Sequence, residues 1–316
     1  MVTALSNGWP NLTGLDLKPT TDALHLWSQV VGKVRLMLTP WVNHSWHVPL
    51  YLSAVGFGTG LIPAQRRSME IEFDLLADLL VIRDTLGQVR RVKLEPRSVA
   101  SFYADTMNAL RELGLEVRLD PMPCELTDCV PFHADVILRN YDGDTARSYW
   151  RAMIQAQRVF HVFRTRFVGK CSPIHLFWGS FDLAVTRFSG RAAPRHPGGA
   201  PHLSDAVARE AYSQEVSSAG FWPGGGNVIG PTFYSYAYPA PSGFGDAMVE
   251  PGAAGFNTEM GEFLLSYETV ARSPDPDAAL LDFLQTTYEA AANLARWDRQ
   301  ILERPTGLLG MPPPGV

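Results

Sequence analysis

Ile174-His175-Leu176-Phe177-Trp178, continuing through Phe181-Asp182-Leu183-Ala184-Val185-Thr186-Arg187-Phe188, is the stretch on which the fold turns. Its apolar residues recur at every second position, the signature of a strand with one buried face. The chain uses the pattern twice. Asn43-His44-Ser45-Trp46-His47 runs on through Leu50-Tyr51-Leu52-Ser53-Ala54-Val55-Gly56-Phe57, and one shift carries both His44 onto His175 and Phe57 onto Phe188. A doubled unit places a ligand site where its two copies meet, so the two histidines become the first candidates.

Working outward, each copy has a helix before it and a helix after its strands. In the first half a helix is predicted from Thr21-Asp22, burying Leu24, Trp27 and Val31 at helical spacing. Strands follow at Val48–Phe57 and Met69–Leu75, with a hairpin of Leu79–Arg83 and Val89–Leu94 around Gly87. A helix capped by Ser98 and stopped by Gly114 precedes a short strand at Leu115–Leu119. In the second half a long helix over Asp144–Arg166 carries Trp150, Met153, Phe160 and Phe163 on one stripe. Then come a strand over Ile174–Phe188, a strand near Tyr212–Ala219, strands at Thr232–Tyr238 and Glu262–Tyr267, and a final helix started by Asp275-Pro276. The predicted fold is α+β: two related helix–antiparallel sheet–helix halves packed as a pseudo-twofold duplicated unit. The predicted boundaries are a lead-in over 1–20, a first half over 21–120, a connection over 121–143, a second half over 144–304 with Pro/Gly-rich loops at 189–230, and a flexible tail over 305–316.

The bulk composition excludes several function classes. The 316 residues are 46% hydrophobic and 19% charged, with a formal charge of −5 and no lysine-arginine run, so neither nucleic acid nor an anionic membrane is the expected partner. No stretch is apolar for long enough to span a bilayer, and Met1–Trp9 lacks a signal-peptide pattern. Three cysteines without metal-finger spacing suit a reduced, cytoplasmic setting. The expected partner is a small-molecule ligand; the sequence does not set a cofactor or an oligomeric state.

Three readings compete for the histidines. They are structural, each bonded to backbone; or His44, His47 and His175 hold a metal together with Asp182 or Glu215; or His175 titrates in metal-free acid–base work. Alternation along a regular strand sends His44 and His47 to opposite faces, and neither HExxH nor CxxC occurs, which weakens the metal reading. On one continuous strand His175 shares a face with Phe177, Phe181, Leu183, Val185 and Arg187, while Asp182 lies opposite with Trp178, Ser180 and Thr186. An arginine among apolar neighbours must be paired or used, so Arg187 with Arg191 is the candidate anion anchor. The glycine-rich segments Arg195–Gly199 and Phe221–Gly226 are candidate pocket rims, with Phe221, Trp222, Tyr234, Tyr236 and Tyr238 as aromatic walls. Glu215 is the carboxylate expected to face that pocket. Lys170 is a lesser candidate, and no GxSxG elbow or phosphate loop is present.

Gly32-Lys33-Val34-Arg35-Leu36, Asn43–Val48, Gly169–Arg191, Glu215–Gly226 and Tyr236-Ala237-Tyr238-Pro239 together resemble the bacterial domain-of-unknown-function family numbered 5996, over roughly Trp9 to Arg304. The resemblance implies no activity and transfers no site residue. The functional expectation therefore rests on the residues alone: an enzyme acting on a small organic anion, with His175, Glu215 and Asp182 catalytic, and Arg187, Arg191, His44, Trp178, Trp222 and Tyr236 binding the ligand. The alternatives are a non-catalytic ligand-binding or sensor protein, a His/carboxylate metal enzyme, and a protein-interaction partner docking through its Pro/Gly loops.

Overall fold

The computed structural model describes residue 5, residues 7–307 and residues 310–311. Most of the expected tail, at 308–309 and 312–316, lies outside the described residues. The chain is a mixed α+β protein with antiparallel sheets.

The first half opens with α1 (Lys18–Leu38). It begins before the expected Thr21 because Pro19 sits in the first turn, where a fixed φ and a missing N–H cost nothing. The Thr21 hydroxyl bonds back to Leu17 O instead of capping. Then come β1 (Tyr51–Leu52), β2 (Gly56–Gly58), β3 (Ile62–Ala64), β4 (Arg67–Asp74), β5 (Leu79–Asp84) and β6 (Val89–Lys93), in the order β1-β2-β4-β5-β6 with β3 beside β4. β7 (Arg97–Ser98) leads into α2 (Val99–Glu112). The Ser98 side chain accepts from Ser101 N–H, and Gly114 stops the helix at a φ of 73°. Residues 115–119 form no strand; the short β8 (Leu138–Arg139) pairs with β7 instead.

The second half also opens with a helix and continues into an antiparallel sheet. α3 (Gly143–Thr165), capped by Asp142, leads to β9 (His175–Phe177), β10 (Asp182–Ala192), α4 (Asp205–Ala211), β11 (Gln214–Trp222), β12 (Thr232–Tyr238), β13 (Gly255–Asn257), β14 (Glu262–Ser266), α5 (Tyr267–Ala271), α6 (Pro276–Leu294) and α7 (Arg299–Leu302). The sheet order is β13-β14-β12-β11-β10-β9. The first strands of the two sheets meet at Leu50 and Leu176, which exchange both backbone hydrogen bonds at 2.8 Å. Among the described residues no helix is long and apolar enough to cross a membrane.

Two sequence expectations fail in a way that matters for function. The stretch 174–188 is not one strand but a hairpin, reversed at Trp178–Phe181, where Phe181 takes a φ of 57°. The turn is held from outside. The Trp178 indole donates to Val48 O at 2.9 Å and its ring lies against Gly32 of α1, where no Cβ would fit. His25 Nε2 meets Gly179 O at 2.7 Å. The reversal changes side-chain parity: Asp182 pairs with Phe177 and Ala184 with His175, so Asp182 and His175 share one face rather than opposing each other. The first copy differs too. Residues 43–45 form a short 3₁₀ turn in which His44 and Ser45 both have φ of 58°, so His44 is not on a strand and is no structural counterpart of His175.

One side of the sheets packs on the helices through Trp27, Phe57, Phe73, Phe102, Tyr149, Phe181 and Phe221, all essentially without solvent contact. Trp27 stacks on Phe102 at 5.0 Å and Phe57 on Phe73 at 4.6 Å. The opposite side of the second sheet carries the polar groups.

Candidate functional site

The side of the second sheet that faces away from the helices is built in cross-strand rows. Directly opposed residues of antiparallel strands point the same way. Tyr234, Gly220, Ala184 and His175 therefore form one row, Tyr236, Ser218 and Thr186 the next, and Tyr238, Val216 and Phe188 a third. The alternation Tyr234-Ser235-Tyr236-Ala237-Tyr238 puts three phenols on this face and the small residues toward the helices. Gly220 leaves room for the Tyr234 ring to cross β11, so the Tyr234 hydroxyl donates to Asp182 Oδ2 on β10. One row along, Thr186 Oγ1 and Ser218 Oγ share a hydrogen bond of 2.8 Å.

The excursion between β10 and β11 lies over this face. Its base is closed by Ala193 N–H donating to Ser213 O at 3.0 Å. From its end, the Tyr212 hydroxyl meets that of Tyr236 at 2.8 Å, and His196 stacks on Tyr212 at 4.6 Å. Tyr238 donates to Pro194 O at 3.1 Å. The 121–143 connection reaches the same place: Glu125 N–H donates to Pro201 O at 2.7 Å, and its carboxylate accepts from the Ser180 hydroxyl.

Among the described residues, Asp182, Glu262 and Glu125 form no ion pair. Burial pushes the buried Asp182 carboxyl up to about 7; the Tyr234 bond opposes this and the Glu125 charge adds to it. Burial, then the charge of Asp182, lifts Glu262 on β14 to about 7. Crowding by protein raises Glu125 as well, although its side chain remains exposed to water, and that exposure limits what the shift is worth. The Tyr212 phenol rises to about 12, and those of Tyr234 and Tyr236 rise too, all chiefly through burial. Tyr212, Tyr236 and Glu262 are half-buried, so solvent reaches the middle of the group.

The residues expected from sequence are dispersed. Only Asp182, His175, Trp222, Tyr234, Tyr236 and Tyr238 lie on this face. His175 has no solvent contact and neither ring nitrogen has a partner; burial, helped by Arg35 and Arg164, lowers its pKa from 6.5 to about 3. It is therefore neutral at physiological pH and cannot serve as a general acid there. A group whose folded pKa is depressed lets the unfolded state bind the extra proton between pH 3 and 6.5, so folding stability is lost as pH falls through that window. Replacing His175 with Phe should flatten this acid limb, checked by chemical denaturation at pH 4, 5 and 7.

Arg187 is a correction. It points to the helix side, fully buried, with its guanidinium 3.4 Å from the Phe163 ring centroid and 4.3 Å from that of Tyr288, and it donates to Phe163 O. Burial lowers it to about 10, so it stays cationic, and it anchors nothing on the tyrosine face. Arg191 and Glu215 are corrections as well. They pair with each other at 2.6 Å, and Arg191 also donates to Ala295 O at the end of α6. Glu215 has the strand parity of the helix side. His44 and Trp178 are held by backbone: His44 Nδ1 meets Ala211 O at 2.9 Å while its Nε2 meets Lys170 Nζ at 2.5 Å, and Trp178 is locked against α1. His47 Nδ1 accepts from Val42 N–H at 3.1 Å. Among the described residues no group of three or more His, Cys, Asp or Glu side chains could hold a metal ion. Phe221, expected as a wall, is core. The residues missed were Glu262, Glu125, Tyr212 and Gly220. The period-2 tyrosines were a legible signal; the carboxylates were not, because chain segments far apart in sequence bring them together.

A separate open cleft of about 440 Å³, between Ala240 and Gly261 beyond β13, is lined mainly by glycine and apolar groups with Asp246 as its one carboxylate, and offers no comparable chemistry.

Residues 9–304 match a family of unknown function (DUF5996). The chain belongs to that family. No curated protein and no solved structure matches it. For this DUF5996 member the match spans both sheets and every residue of the tyrosine face, so that face falls wholly within the family region.

Proposed function

We propose that the tyrosine face of the second sheet is a small-molecule site in which Asp182 takes and returns a proton. The observation that carries the reading is a buried carboxyl bonded by the Tyr234 hydroxyl and pushed by burial up to about 7, on a face that residues 193–213 reach at Tyr236 and Tyr238. A proton-transfer group works best when its pKa lies near the working pH, and burial is how proteins move a carboxyl there. Tyr234 orients Asp182, and the phenol rings of Tyr236 and Tyr212 form the ligand-facing surface. The reading replaces the anion-binding expectation, whose arginines are spent elsewhere. It also takes the two halves to be copies of one unit, supported by the repeated helix–sheet–helix order and the Leu50–Leu176 junction, and it takes the protein to be cytoplasmic, in keeping with the free thiols of Cys124, Cys129 and Cys171.

The test is direct. Carboxyl carbon NMR on aspartate-labelled protein should reveal one aspartate titrating near pH 7, absent in Asp182→Asn; a titration near the usual 4 would remove Asp182 from acid–base work. Stability carries the same signature. A carboxyl raised from 3.8 to about 7 binds its proton in the folded state, so stability falls as pH rises through that range. Asp182→Asn should therefore gain in melting temperature relative to the parent at pH 8 and not at pH 4.

A further inference from the structure

We infer that Lys170 is a nucleophilic amine that forms an imine with an apolar aromatic aldehyde, and that His44 is the base that takes its proton. The site is separate from the one proposed above. Lys170 is held in register with Phe188, six residues beyond Asp182 on β10, which is roughly 20 Å at the rise of a strand. Lysine is scarce in this chain, at positions 18, 33, 93 and 170 among 27 basic residues. Lys18 and Lys33 each face a carboxylate, Asp22 at 2.7 Å and Asp120 at 3.6 Å, and Lys93 is exposed. Lys170 differs. Among the described residues it forms no ion pair; its Nζ meets His44 Nε2 at 2.5 Å and Gln214 Oε1 at 3.2 Å.

The tautomer of His44 is set by its other nitrogen. Nδ1 lies 2.9 Å from Ala211 O, which can only accept, so Nδ1 carries the proton and Nε2 presents its lone pair to Lys170. An imidazole held this way can take the ammonium proton without turning, because an imidazolium donates through both nitrogens. Burial lowers the pKa of His44, which keeps the ring neutral at pH 8, and burial lowers that of Lys170 against the Glu210 charge. The ring is placed by strained backbone: His44 and Ser45 both hold the left-handed conformation, unfavourable for residues with a Cβ. Two aromatic faces complete the site. Lys170 Nζ lies 4.8 Å from the Phe188 ring centroid and 5.4 Å from that of Trp46. Lys170 and Trp46 are half-buried, so solvent reaches the amine. An ammonium and an iminium are both cations that such faces attract, and the rings suit an apolar aromatic substituent.

In the step, His44 Nε2 takes a proton from the Lys170 ammonium, the freed amine adds to the carbonyl carbon, and the carbonyl π pair moves to oxygen. That oxygen takes the proton from His44 and a second from the nitrogen and leaves as water, so ammonium plus aldehyde become iminium plus water. Benzaldehyde with sodium cyanoborohydride at pH 8 fixes the imine as a benzyl amine, which peptide mass spectrometry reads at each of the four lysines of the intact protein. Lys170 should be modified at least about tenfold faster than exposed Lys93, a part of what a positioned base supplies. A rate equal to or below that of Lys93 would overturn the inference, and this comparison needs no variant. His44→Phe, which keeps an aromatic ring and removes the base, should bring Lys170 down to the rate of Lys93. An undiminished Lys170 rate in that variant would overturn the role of His44. The ratio of Lys170 to Lys93 modification should be larger for benzaldehyde than for glyoxylate, an anionic aldehyde; the reverse order would overturn the apolar class.

Discussion

Phe181→Ala should lower unfolding free energy by about 3–5 kcal/mol, the range for emptying a closed aromatic site. The Phe181 ring has no solvent contact and is the point where separate parts of the chain meet. It stacks on His25 of α1 at 5.8 Å, meets Phe57 of β2 edge-on at 5.9 Å, and lies parallel to Tyr149 of α3 at 6.2 Å. No one of these elements can move into the space alone without leaving its own strand or helix register. The residue also sets the direction of the chain into Asp182 from its left-handed conformation, a geometry that alanine tolerates no better than phenylalanine. Equilibrium urea denaturation should show a lower midpoint with an unchanged slope. A loss below about 1 kcal/mol would mean that the two halves do not depend on this contact.

Gly220→Ala should cost about 1–3 kcal/mol and should also disturb the site, as overpacking does in a closed sheet. A Cβ at position 220 would collide with the Tyr234 hydroxyl and lie 2.6 Å from Leu183 O. The tyrosine can retreat, but Leu183 O belongs to the backbone of the neighbouring strand and cannot. The hydroxyl that retreats is the one donating to Asp182. Losing that donor removes what holds the Asp182 carboxylate down, so its titration should move above the parent's in the same NMR experiment. Tyr234→Phe, which keeps the ring and drops the hydroxyl, should raise the titration without the steric destabilisation. Destabilisation without any change in titration would show that Tyr234 does not tune Asp182.

These two positions show why the site was only partly legible. The helices could be read because their signals are local: Ser98, Asp142 and Asp275 each cap the helix that follows, accepting from a backbone N–H three residues on. The hairpin of β5 and β6 and the tyrosine alternation of β12 are local too. The turn at Trp178–Phe181 was not, because nothing in Trp178-Gly179-Ser180-Phe181 signals a reversal as strongly as Asn-Gly or Pro-Gly would. That reversal is stabilised by Gly32, His25 and Val48, more than a hundred residues away. Missing it reversed the parity of everything beyond, which put Arg187 in a pocket and set Asp182 against His175.

The sequence by itself determined the class of the fold, its long helices, the mild acidity and the tyrosine-lined strand, since period, capping and composition act over a few residues. Tertiary structure alone decided which charges stay unanswered. Arg187 and Arg191 look available along the chain, but Phe163 and Tyr288 enclose the one, and Glu215 and the end of α6 hold the other. Asp182, Glu262 and Glu125 lie far apart in sequence, and sheet pairing and the connection between the halves bring Asp182 into the field of Glu125 and Glu262 into that of Asp182. Burial and mutual repulsion depend on distances through space, and the fold sets those distances across segments that carry no local sign of their meeting.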